Sequence, residues 1–68
     1  MKEFAENLKR LRVAHNLTWE QLGEMIQRDE SCIRRYEKDL TNPSIEAALA
    51  LADVFDVSMD ELFGRRNK

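Results

Sequence analysis

The sequence predicts an all-α domain of five helices, and three observations carry that prediction. Apolar residues recur at helical spacing, helix-opening residues stand ahead of most of the apolar stretches, and the breaks between stretches are short. In the first helix Phe4, Leu8 and Leu11 fall at i, i+4 and i+7 with Ala14 on the flank, and the stripe runs out near Asn16. Thr18 and Gln21 form a capping box, in which the hydroxyl accepts the N–H of the third helical residue while the amide reaches back to the cap. A second helix therefore runs from Trp19 to about Ile26. Asp29 caps a third through Lys38, Ser44 opens a fourth after Pro43, and Ser58 with Glu61 forms a second capping box before a short fifth. Thr41-Asn42-Pro43 is the strongest punctuation, yet no repeat, low-complexity tract or flexible linker interrupts the chain. Residues 1–68 read as one domain, with a helix-turn-helix core over about 18–38 and a short basic tail at 65–68.

At 68 residues there is room for one small domain, which excludes a catalytic unit with a separate substrate domain. A chain that is 43% hydrophobic and 35% charged is too apolar to stay disordered and too mixed to span a membrane. So short a domain buries only about 60% of its unfolded surface, so a second subunit covering more of it is expected. The single cysteine, Cys32, excludes an internal disulfide and a multi-cysteine zinc site. No stretch resembles a signal peptide, and the cytoplasm is the expected compartment. His15, the only histidine, follows the first apolar stripe and reads as a packing or rim residue, as Cys32 reads as a small core residue. With no glycine-rich phosphate loop, no metal-ligand spacing and no nucleophile beside a base, the expectation is a non-enzyme without catalytic residues, metal or cofactor.

The net charge of −2 is the wrong sign for a protein held on nucleic acid by bulk charge, but the charge is unevenly placed. From Asp39 to Gly64 there is no Lys or Arg and there are six acids, whereas residues 1–38 carry eight basic and seven acidic side chains. A polyanion must meet the first half or the tail. Only Gln27 and Arg28 join the second and third helices, which forces a sharp angle between them. Helical periodicity puts Cys32, Ile33 and Tyr36 on one side of the third helix and Glu30, Ser31, Arg34, Arg35 and Lys38 on the other. That polar face holds side chains able to read base edges, since an acid accepts from cytosine N4 and an arginine forks onto guanine O6 and N7. The plainer alternative is a solvated face on which Glu30 and Arg34 pair at i,i+4.

The order of residues says more than the periodicity. Leu11-Arg12, Leu17-Thr18, Glu20, Leu22, Ile26, Ser31, Ile33, Arg35-Tyr36-Glu37, Asn42-Pro43-Ser44 and Val57-Ser58-Met59-Asp60-Glu61-Leu62 together resemble the Cro/repressor (Xre-type) helix-turn-helix family over roughly residues 4–63. The resemblance implies a lambda-repressor-like fold whose third helix lies in the major groove of double-stranded DNA. Glu30, Ser31, Arg34 and Arg35 would then read bases, and Trp19, Arg28, Lys38, Thr41 and Asn42 would hold phosphates. Arg12 and Glu37 match the positions of an ion pair tying the first helix to the end of the third. The function implied is a transcriptional regulator, expected to be a dimeric repressor on a palindromic operator.

Four departures from the family pattern bear on that expectation. Trp19 stands where glutamine is usual and has one indole N–H and no acceptor, so by itself it reads more readily as an aromatic packed over the joint of the second and third helices than as a phosphate contact. Gly23 replaces alanine, at about 1 kcal/mol of helix propensity. Gln27 replaces glycine in the turn, at about 1–2 kcal/mol if its backbone is left-handed. Asp29 and Glu30 put two acids at the start of the reading helix, where they suit the helix dipole but repel phosphate, and leave the proposed surface only weakly positive. Those acids support an alternative, an antitoxin-like module whose acidic second half binds a protein partner. In the fourth helix Ile45, Ala48, Leu49, Ala52 and Phe55 form the expected core stripe. Ala47, Ala50 and Val54 lie opposite and, with Met59 and Phe63, form the expected dimer interface.

Overall fold

The computed structural model describes residues 2–65 and holds five helices: α1 (Lys2–Ala14), α2 (Trp19–Ile26), α3 (Glu30–Glu37), α4 (Ile45–Phe55) and α5 (Met59–Leu62). No strand occurs among the described residues. Arg66 and Lys68 of the basic tail lie outside them. Each of the last four helices opens on the cap read from the sequence. Thr18 Oγ1 accepts from the Gln21 N–H at 3.0 Å, Ser44 Oγ from Ala47 at 3.1 Å and Ser58 Oγ from Glu61 at 3.0 Å, while Asp29 accepts from the Ser31 N–H at 3.1 Å. Both capping boxes are closed by the reciprocal bonds from Gln21 and Glu61. Within two residues of the end of each of the first four helices stands a left-handed residue that is not glycine: Asn16 (φ 57°), Gln27 (φ 59°), Asp39 (φ 58°) and Asp56 (φ 54°).

The core gathers Phe4 and Leu8 of α1, Leu22 and Ile26 of α2, Ile33 and Tyr36 of α3, Leu51, Ala52 and Phe55 of α4, and Leu62 of α5. Phe4 is its aromatic hinge, edge-on to Tyr36 at 5.8 Å and stacked on Phe63 at 4.9 Å. Asn7 Nδ2 donates to the Glu61 and Leu62 carbonyls, both at 3.2 Å, fastening the end of α5 to α1. None of the helices described is long and apolar enough to cross a membrane.

α4 corrects the sequence expectation. Its buried face is Ala47, Ala48, Leu51, Ala52 and Phe55, while Ile45 is 77% and Leu49 49% exposed. The helix is rotated about its axis from the expected orientation, because Leu51 takes the central core position and draws Ala47 in beside it. Ala47 is thus sealed inside the subunit and cannot form a dimer interface. Phe63 is already stacked on Phe4, and Ala50, Val54 and Met59 are half-buried against the core.

Candidate nucleic-acid interface

The turn between α2 and α3 is set by two backbone bonds to the end of α2. The Arg28 N–H donates to the Gly23 carbonyl at 2.8 Å and the Gln27 N–H to Glu24 at 3.3 Å, with Gln27 left-handed between the helices. The backbone returns so closely that a Cβ on Gly23 would lie 2.5 Å from the Arg28 carbonyl oxygen. Glycine here is therefore a matter of space as well as propensity, and the returning backbone sets that space.

From that turn Asp29 opens α3. Its carboxylate accepts both the N–H and the hydroxyl of Ser31, and these bonds, chiefly the hydroxyl's, hold its pKa below the ordinary 3.8. The acid that looked repulsive toward phosphate is thus engaged in capping. Ser31 meanwhile directs its hydroxyl proton at Asp29, so only its acceptor lone pairs remain for a base. Glu30 and Arg35 of α3 and Lys38 at its end are exposed, as are Arg28 ahead of it and Thr41 and Asn42 in the loop after it. Tyr36 is buried, and burial, with Cys32 beside it, pushes its hydroxyl up to about 12 against the opposing pull of the nearby Arg28.

The inner end of α3 is bound by one carboxylate. Arg12 Nε donates to Glu37 Oε2 at 2.6 Å and Arg12 Nη2 to Glu37 Oε1 at 3.1 Å, a fork-on-fork pair with side chains only 13% and 5% exposed. Arg12 Nη1 donates to the Leu17 carbonyl at 2.8 Å, so the same guanidinium fixes the entry to α2. Trp19 Nε1 donates to Glu37 Oε1 at 3.1 Å. This corrects the phosphate role expected of Trp19: the only donor of the indole is engaged inside the protein. Its ring lies under two guanidinium groups, with Arg12 Cζ 5.5 Å and Arg34 Cζ 5.4 Å from the centroid. The Trp19 bond to Glu37 and the Arg34 contact were not read from the sequence. The available signal was the conjunction of an aromatic at the first position of α2 with the Arg12–Glu37 pair.

The helix-turn-helix family model matches residues 8–62. The uncharacterised HTH-type transcriptional regulator YobD of Bacillus subtilis is 38% identical over 61 residues, covering 90% of this chain and 54% of that protein. The HTH-type transcriptional activator BcrR of Enterococcus faecalis is 37% identical over 60 residues, covering 88% and 29%. A crystal structure of a transcriptional regulator from Listeria innocua superposes with a TM-score of 0.89 at 37% identity, covering 96% of this chain and 61% of that one. The chain thus spans about half the length of YobD and under a third of BcrR.

Proposed function

Because the chain belongs to the helix-turn-helix family, of the Cro/repressor-like (Xre) type, we propose that it is a sequence-specific DNA-binding transcriptional regulator that reads the major groove with α3. The family and fold are those of transcriptional regulators and not of enzymes. The observation that carries the proposal is the exposed side of α3, on which Glu30 and Arg35 stand clear of the core while Ile33 and Tyr36 fill it. Arg28, Lys38, Thr41 and Asn42 flank that side as phosphate contacts, joined by backbone N–H groups at the start of α2. Glu30 is assigned to a cytosine and Arg34 to a guanine.

The unit of action proposed is a homodimer on a palindromic operator, since two-fold copies present their reading helices about 34 Å apart to half-sites one DNA turn apart. Its apolar contact is placed at Ile45 and Leu49, which share the exposed side of α4 and replace Ala47. Repression is the direction proposed because it needs only that the dimer occupy its operator; the activator among the relatives makes this a point for a reporter assay.

The test is anisotropy of a labelled duplex as a function of salt. Each phosphate contact removed in Arg28→Ala or Lys38→Ala should lower the salt slope by about one. Slopes unchanged by both substitutions would move the function to a protein partner at the acidic second half. If Glu30→Gln tightens binding equally to all sequences, Glu30 repels phosphate and reads nothing.

A further inference from the structure

We propose that Trp19 is a positioning residue for Arg34: an aromatic platform on α2 that holds a guanidinium of α3 in place for a guanine, governing base preference without touching DNA. The proposal rests on the DNA-reading function above and concerns how one of its readers is held.

Arg34 Cζ lies 5.4 Å from the Trp19 centroid, inside the roughly 6 Å reach of a cation–π contact. The ring is itself fixed. Its Nε1 is bonded to Glu37, Glu37 is gripped by both arms of Arg12, and the Arg12 guanidinium lies 5.5 Å from the same ring. A platform anchored at its edge by a carboxylate, itself only 5% exposed, does not swing freely.

An arginine on an open face samples many rotamers and gives most of them up when it forks onto a base. One already held over a ring has given up part of that freedom in advance, and a cation–π contact occupies none of the guanidinium's hydrogen-bond donors. Arg35, the next residue, is exposed where Arg34 is half-buried, so the two neighbouring arginines have different freedom. Arg34 is the pre-set reader, and Arg35, with more freedom, suits a contact that adapts to the base pair it meets.

The experiment measures Kd for an operator obtained by selecting bound duplexes from a random library and for its single-base-pair variants, using the wild type, Trp19→Phe, Trp19→Leu, Arg34→Ala and the double variant Trp19→Leu/Arg34→Ala. The wild type should prefer guanine at one pair per half-site by about tenfold or more. Trp19→Leu should lose most of that preference at that pair alone, about fivefold, while Trp19→Phe keeps the larger part of it. With Arg34→Ala present, Trp19→Leu should change nothing further at that pair. A loss spread evenly over all operator variants makes Trp19 merely structural and overturns the proposal, as does a preference that Trp19→Leu leaves intact. Should Trp19→Leu fail to fold, Trp19, as the only tryptophan, gives a second readout: Arg34→Ala must shift its emission in the free protein, and unchanged emission overturns the contact and with it the proposal. A wild type without preference at any base pair overturns the DNA-reading function and this proposal together. A wild type with preferences that ignore Trp19 overturns the proposal alone.

Discussion

Arg12 and Glu37 tie α1 to the end of α3, and the pair is expected to orient α3 more than it stabilises the domain. Their attraction is largely offset by the cost of removing both charges from water, but removing one partner leaves the other charge nearly buried. Arg12→Ala should therefore cost about 3 kcal/mol and exceed the cost of Arg12→Met with Glu37→Leu, measured by urea unfolding. Equal costs would remove the argument. Asp29 carries a pH dependence whose sign follows from its lowered pKa. The carboxylate stabilises the fold above the ordinary carboxyl range and stops doing so as pH falls below about 4 through the lowered value. Asp29→Asn should flatten the acid limb of stability as pH falls below the ordinary carboxyl range, and an unchanged limb would show that the Ser31 bonds contribute nothing. The ion pair was legible because both residues sit in family positions. The Trp19 bond was not, because its partner lies on another helix and no local spacing encodes it.

At the scale of elements, caps were legible because each is a contact between residues three apart or fewer. The face that α4 turns inward was not, because its alanines and large apolar residues fit two orientations almost equally and only Leu51 in place decides between them. The α2–α3 turn yields two opposed expectations. Gln27→Gly should stabilise the domain by about 1 kcal/mol in denaturant unfolding, since Gln27 is left-handed at φ 59° and glycine bears no Cβ penalty there. Gly23→Ala should fail to deliver the roughly 1 kcal/mol that helix propensity promises, because the new Cβ meets the Arg28 carbonyl. A full gain from Gly23→Ala would mean the turn backbone moves aside freely.

At the scale of the whole molecule, the fold leaves the polar side of α3 exposed and, on α4, an exposed apolar pair, Ile45 and Leu49. The domain measures 36 × 23 × 21 Å, so two copies side by side can bring equivalent helices to a spacing of about one DNA turn. Ile45→Glu with Leu49→Lys should leave the fold intact and shift sedimentation equilibrium toward the monomer, weakening operator binding. An unaltered dimer would place the interface elsewhere. The most direct measurement is selection of bound duplexes from a random library at about 50 mM salt, where a small set of phosphate contacts still holds. If α3 reads DNA as a dimer, a palindrome emerges with half-sites about 10 base pairs apart and guanine and cytosine at the pairs facing Arg34 and Glu30. A folded protein that enriches no sequence would contradict it.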